Sequence, residues 1–215
     1  PTFLTLAKEE EFVKRHKNTA CGPDGMPFAL YRNLSDLASP MILDLIIALS
    51  TGTLPPKEFN LGGLCIFPKD SSSTIDRTRP ITLNNTSNRI IASITADAIM
   101  DAVDAIADPR QKGFIRHRKG EDNIHELTNL YYKKLNSQTQ HYFLFIDTAK
   151  AFDSLDHDYL FAVLAKIGMP TWVINIVKGL MHNARVRPIL KGRVRIPIPL
   201  ARRVKQGCPL SPLLF

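Results

Sequence analysis

Apolar residues recur along this chain at helical spacing in some stretches and in short extended runs in others, and polar or glycine-rich clusters separate them. Leu4 to His16 has helix-forming composition, with Glu9, Glu10 and Glu11 leading and Lys14, Arg15 and Lys17 trailing, an order that complements a helix dipole. Gly22 to Gly25 reads as a turn and Pro27 to Leu37 as a short helix. Met41 to Ser50 reads as another, opened by Ser39 and by Pro40, whose missing N–H costs nothing in a first turn. Leu61 to Phe67 and Ile81 to Leu83 are extended and flank the serine-rich loop Asp70 to Asp76, which predicts a hairpin.

Ser87 to Ala107 is the clearest helix. Ile91, Ile94, Ala98, Ala102 and Ile106 trace one face, while Asp97, Asp101, Asp104 and Asp108 line another. Four acids in line resemble a metal site, but an amphipathic helix needs a solvated face and these acids fill it; such a face is expected to turn away from phosphates. Helices are further predicted over Asn123 to Leu135, Asp156 to Ile167 and Thr171 to His182. Tyr142 to Ile146 is an aromatic and β-branched run with the signature of a buried strand, ending on Asp147. Arg185 to Ile198 reads as a hairpin; with an odd loop such as Leu190 to Gly192, Arg185, Arg187, Arg193 and Arg195 would share one face. Four like charges facing each other are unfavourable unless a phosphate backbone lies against them, so this is a nucleic-acid candidate.

Composition narrows the class. At 215 residues and 44% hydrophobic content the chain can bury a sizeable core. A net charge of +8 favours a polyanionic partner, nucleic acid before membrane. Cys21, Cys65 and Cys208 lie far apart, with no zinc-ligand spacing, so neither a disulfide framework nor a zinc site is expected and a reducing compartment is the simpler reading. No signal peptide or membrane-length apolar run is visible. The chain ends at Phe215 inside the apolar run PLSPLLF and is expected to be a piece of a longer protein.

Three further features suggest chemistry. Asp147, carried out of a core on a strand and followed by a turn and a helix, suits metal-assisted phosphate chemistry, although a turn or capping role fits the same position. Lys69 and Arg79 flank the first hairpin and could clamp a triphosphate, or simply be solvated surface cations. Arg110 to Gly120 places Arg110, Lys112, Arg116, Arg118 and Lys119 around Phe114, a composition suited either to phosphate contact or to a solvated basic loop.

Together these pieces resemble a family. FLFIDTAKAFDSLDH followed by RVKQGCPLSPLLF is similar to the first two palm motifs of reverse transcriptases, most closely those of the non-LTR (LINE-like) retrotransposon type. CGPDGMP, FPKD with RTRPITL, and QKGFIRHRKGEDNI resemble that group's preceding motifs in the same order. The resemblance implies that Asp147 and the backbone carbonyl of Thr148 bind Mg²⁺, two ions in the complete enzyme, with Mn²⁺ as a substitute. It implies that Phe152 excludes a ribose 2′-hydroxyl, that Lys69 and Arg79 hold the triphosphate, and that Gln206 and Gly207 form the nucleotide and template pocket. Asp153 is expected to act locally as a cap or turn residue. Two departures concern the backbone: Arg203 stands where relatives commonly have Gly, and Arg116 and His117 replace the usual Pro and Gly. The family's Ala-Asp-Asp motif, with the remaining metal-binding carboxylates, does not appear before Phe215.

The expected fold is therefore α+β, a right-hand arrangement with a fingers region over 1–140 and the first part of a palm over 141–215, built on a central antiparallel sheet. The implied activity of the complete protein is RNA-directed DNA polymerisation by two-metal nucleotidyl transfer, with an RNA template, a DNA primer and deoxynucleoside triphosphates as partners. This stretch alone is expected to be inactive. The resemblance places the protein in a nuclear or cytoplasmic ribonucleoprotein, neither secreted nor in a membrane. A non-catalytic RNA-binding scaffold, a decayed element remnant and a group II intron maturase-type enzyme are the alternatives.

Overall fold

The computed structural model describes residues 13, 19–69, 71, 77–135, 137, 139–148, 151–190, 192–200 and 202–215. The helix expected over Leu4 to His16 falls outside them except for Val13, which is helical and buried, and so does most of the serine-rich loop. In chain order the elements are α1 (Phe28–Asn33), α2 (Ser35–Ser50), β1 (Leu61–Pro68), β2 (Thr78–Asn84), α3 (Thr86–Ile106), α4 (Gly120–Leu135), α5 (Ala151–Ser154), α6 (His157–Lys166), α7 (Thr171–Met181), β3 (Arg185–Leu190), β4 (Arg193–Val194), β5 (Ile198–Pro199) and α8 (Ser211–Leu214).

Apolar stripes of α2, α3 and α7 meet in one core. Ile42, Ile46 and Leu49 come from α2, Ile90, Ile91 and Ile99 from α3, and Val173, Ile176 and Val177 from α7, all buried. Each such side chain contributes roughly 1.5–3 kcal/mol by leaving water. Gly179 lets α2 lie close to α7: an added Cβ would stand 2.5 Å from Leu49 Cδ2, and the leucine side chain would have to shift. Pro40 sits inside α2 rather than opening a helix, so α2 begins six residues before Met41 and lacks one backbone donor in its second turn.

The face of α3 differs from the sequence reading. Ile91, Thr95 and Ile99 are buried, whereas Ala98, Ala102 and Ile106 are exposed. The helix leaves the core in its second half, so apolar residues there do not report on packing.

The sheet is mixed, not antiparallel. Its order is β2-β1-β3-β4, with β5 also paired to β3; β1 and β2 run antiparallel, and β1 and β3 parallel. One layer therefore takes strands from both sides of residue 140. Beneath it Ala184, Val186 and Leu200 form a small second core with Leu64.

Tyr142 to Ile146 forms no strand and is not buried: Tyr142, Leu144, Phe145 and Ile146 are each at least 80% exposed. The preceding helix α4 has no buried residue either, and its Tyr131 ring meets Phe143 at 6.4 Å between centroids. Composition favours a strand here, but a strand needs a paired neighbour and a covered face, and the described residues supply neither.

Candidate functional site

The β1–β2 hairpin places two of the expected site residues at its tip. Phe67 pairs with Arg79, and the Lys69 N–H donates to the Arg77 carbonyl at 2.9 Å, so Lys69, Phe67 and Arg79 lie on one face. The parallel register sets Leu61 beside Arg185 and Gly63 beside Arg187, which adds these two arginines to the same face. Cations from three neighbouring strands thus share one side of the sheet.

Arg193 and Arg195 do not join them. Leu190 pairs with Arg193 and Ile189 with Val194, so two residues, not three, separate the arms. That shift of one residue turns Arg193 to the opposite face from Arg185 and Arg187, because side chains alternate along a strand. The Arg195 N–H donates to the Pro188 carbonyl, beyond the paired residues of β4. The expectation of four arginines on one face is corrected accordingly.

The loop Arg203–Cys208 ties the hairpin to the segment after Asp147. The Arg203 N–H donates to the Leu155 carbonyl at 2.8 Å and the Val204 N–H to the Phe152 carbonyl at 3.0 Å. On the other side the Thr82 N–H donates to the Gln206 carbonyl at 2.8 Å, so the loop extends the sheet at the outer edge of β2. Phe152, Gln206, Gly207 and the strand bearing Arg79 are thereby joined through backbone bonds. Arg79 lies three residues along β2 from Thr82, about 10 Å at strand rise. One face of Phe152 is occupied by Phe215, at 5.2 Å between ring centroids.

Gly207 is required where it stands. Its φ is +103°, and a Cβ there would lie 2.8 Å from the Thr82 carbonyl oxygen. Gly207→Ala is expected to cost roughly 1–3 kcal/mol in urea unfolding and to push the loop off β2, exposing the Thr82 amide to exchange. An alanine variant with wild-type stability and Thr82 protection would contradict this geometry.

Arg203 keeps the left-handed backbone that glycine would adopt freely, at φ 85°, and His117 does the same at φ 66°. Arg203 is held there on three sides. Its N–H reaches Leu155, its carbonyl lies 2.9 Å from His157 Nε2, and its guanidinium stands 3.4 Å from Asp153 Oδ1. Asp153, expected to act only locally, thus reaches across to the loop. The cap of α6 is Asp156, whose Oδ1 accepts from the N–H groups of Asp158 and Tyr159.

Sequence reasoning assigns Lys205 no role. The side chain is buried, 8% exposed, and its Nζ donates to the Asn60 carbonyl at 3.2 Å. Burial pushes its pKa down to about 8, against the opposing effect of Cys208 nearby. No sequence signal marks it, since a lysine among Arg202, Arg203 and Gln206 reads as surface.

The basic loop after α3 folds back on the aspartate face. Arg116 pairs with Asp97 at 2.8 Å and Arg110 with Asp108 at 2.8 Å. Arg118 reaches Asp104 at 2.7 Å and also donates to the carbonyls of Asp104, Asp108 and Gln111, closing the C-terminal end of α3. The Arg110 side chain and N–H hold the Asp108 carboxyl well below the usual carboxylate range. Three of the five expected phosphate-binding cations in this loop therefore carry an internal partner.

Asp147 and Thr148 are exposed and precede α5. Among the described residues no three His, Cys, Asp or Glu side chains converge on a point where a metal ion could be held. The described residues thus make at most part of a metal centre, since one carboxylate does not hold two ions. No helix among the described residues is long and apolar enough to cross a membrane.

Comparison with known proteins bears on the same segments. Over 200 residues the chain is 25% identical to the "Transposon TX1 uncharacterized 149 kDa protein" of Xenopus laevis, an alignment covering 92% of this chain and 15% of that protein. It is 29% identical over 215 residues to the "Retrovirus-related Pol polyprotein from type-1 retrotransposable element R2" of Nasonia vitripennis, covering 97% of this chain and 20% of the relative. It is 29% identical over 196 residues to the corresponding type-2 R2DM polyprotein of Drosophila melanogaster, covering 90% and 18%. The chain spans at most about a fifth of the length of these curated relatives. Residues 67–215, from the hairpin tip through Asp147 to the Gln206 loop, match the family described as reverse transcriptase (RNA-dependent DNA polymerase), and the chain belongs to that family.

Proposed function

We propose that this chain is the fingers region and first part of the palm of a retrotransposon polymerase that extends a DNA primer on an RNA template. The observation that carries the reading is the loop Arg203–Cys208, bonded at once to Phe152 and to the edge of β2. It joins the backbone of Phe152 and a glycine that admits close backbone approach to the edge of the cation-bearing hairpin. In this reading residues 1–140 are fingers and 141–215 begin the palm, with β3 to β5 lent to the fingers sheet.

Lys69 and Arg79 then neutralise the triphosphate of the incoming nucleotide, where charge accumulates during transfer. Phe152 rejects a 2′-hydroxyl by occupying the space it needs. Gln206 and Gly207 line the nucleotide and template pocket. Arg185 and Arg187 on the sheet face, with Lys112 and Lys119 of the basic loop, meet nucleic-acid phosphates; Arg110, Arg116 and Arg118 contribute less, because their aspartate partners offset their charge. Asp147 and the Thr148 carbonyl are the proposed Mg²⁺ ligands of this chain, and other carboxylates must complete the centre. A protein bound to its own RNA template would reside in a nuclear or cytoplasmic ribonucleoprotein.

The test is primer extension by the complete reading frame. Asp147→Asn should reduce nucleotide incorporation by roughly 10³-fold, the equivalent of several kcal/mol of lost charge stabilisation. Extension by that variant at the wild-type rate would overturn the assignment. A complete wild-type protein that binds primer–template but never extends it would favour the non-catalytic scaffold instead.

A further inference from the structure

The buried lysine beside Gln206 has no part in the roles assigned above. Lys205 points away from the sheet face and into the protein, and its Nζ ends on the carbonyl of Asn60, the residue preceding β1. Asn60 is itself only 1% exposed and is fastened on three sides. Its Nδ2 donates to the carbonyls of Gly179 at 2.7 Å and His182 at 2.8 Å, at the end of α7, and its Oδ1 accepts from Asn88 Nδ2 on α3 at 2.8 Å. Its carbonyl also accepts the Arg185 N–H at 3.4 Å, at the start of β3. The lysine is therefore tied to a point that α3, α7, β1 and β3 all hold in place.

Along the chain this anchor falls between the loop's two backbone attachments. Val204 N–H is bonded to Phe152 and the Gln206 carbonyl to Thr82, one residue to either side of Lys205. Burial of an ammonium opposes folding, and an apolar residue of similar length would fill the same space without that cost. What an apolar residue would lack is a directional bond to a fixed acceptor.

We propose that Lys205 is a positioning residue, whose bond to Asn60 sets the place of Gln206 between Phe152 and the edge of β2 and thereby sets the nucleotide pocket. This rests on the reading of Gln206 as a pocket residue. A charge-assisted hydrogen bond holds the loop against local opening by roughly tenfold or more in equilibrium. The loop's freedom at Gly207 makes such a constraint necessary, because glycine alone does not select one backbone conformation.

The experiment uses the complete reading frame and compares wild type, Lys205→Met, Lys205→Arg and Gln206→Ala. Hydrogen exchange of the Thr82 amide, which donates to Gln206, reports the position of the loop directly. In Lys205→Met it should exchange about tenfold faster, while amides inside α7 such as Val177 keep their protection; Lys205→Arg, which retains a donor, should recover part of the difference. Steady-state incorporation of a single deoxynucleotide should show KM raised about tenfold in Lys205→Met with kcat within about twofold, since binding geometry and not the reacting groups is altered. Unchanged Thr82 exchange in Lys205→Met overturns the anchor. If Thr82 loosens and Gln206→Ala raises KM while Lys205→Met leaves it unmoved, the anchor does not serve the pocket and the proposal also fails. If Gln206→Ala itself leaves KM unmoved, the reading of Gln206 fails, and the Thr82 amide still decides whether Lys205 holds the loop.

Discussion

Replacing Lys205 by Met is expected to make the chain more stable at pH 7, by about 2 kcal/mol. The folded environment lowers the lysine pKa from 10.5 to about 8, chiefly through burial. At about 1.4 kcal/mol per pH unit, that displacement is worth on the order of 3 kcal/mol against the charged form, part of which the lost bond to Asn60 offsets. The sign fixes the pH dependence. Below about pH 8 the ammonium is present in both folded and unfolded chains and the folded chain carries its full desolvation cost. Between about 8 and 10.5 the unfolded chain binds the proton and the folded chain does not, so stability relative to Lys205→Met rises with pH. Above 10.5 the lysine handicap is gone. Arg203, His157 and Cys208 line the same small cavity and are present in both proteins, so subtracting one curve from the other leaves Lys205 together with its coupling to Cys208. Urea unfolding followed by the single tryptophan, Trp172, measures this. A difference that stays flat from pH 7 to 10.5 would show that the buried ammonium is not destabilising.

The same substitution is expected to loosen Gln206 while it stabilises the whole, and the two effects have a common physical origin. A buried charge is a poor source of stability but a strict source of geometry, because it must find its partner or remain unsolvated. Loss of function with gain of stability is the usual signature of a site that holds a costly group for its task.

How far the sequence reveals this arrangement depends on which interactions decide each part. The hairpin Leu61 to Leu83, the turn at Gly22 to Gly25 and the long helix after Asn85 are local patterns, and they form as the pattern predicts. The stripe of α3 was misplaced because both halves of the helix contain apolar residues, and only tertiary contact shows that Ile99 is covered and Ile106 is not. The register of Arg193 hung on one residue of loop length. Gly192, at φ 71°, is the turn residue that a two-residue connection favours, a signal present in the sequence. Arg203 and His117 occupy backbone conformations that their side chains disfavour, so only the neighbours that hold Arg203 account for it. The motif residues were legible as a set; the anchor beneath them was not, since burial of a lysine leaves no periodic trace.

The apolar run at Tyr142 to Ile146 leads to a large effect of another kind: the 215-residue chain is expected to self-associate through it, and Leu144→Lys should raise the concentration at which it does so by at least about tenfold. Leu144 is 83% exposed and Phe145 80%, in five consecutive apolar residues that bear no charge, proline or glycine. Among the described residues no strand pairs with this run, and its exposed apolar side chains favour pairing with another copy. A single lysine in this run introduces repulsion between identical chains and a side chain that resists burial. Thermal unfolding of the monomer should change little, because the residue is already in water. Sedimentation velocity over a range of concentrations separates the cases, and a wild-type chain that remains monomeric at high concentration would show that the run is protected. In the complete reading frame the expectation reverses. If further chain covers this run beside Asp147, Leu144→Lys buries a charge there and should cost roughly 2–4 kcal/mol, together with polymerase activity. A lysine tolerated in both proteins would mean that the run stays exposed in both.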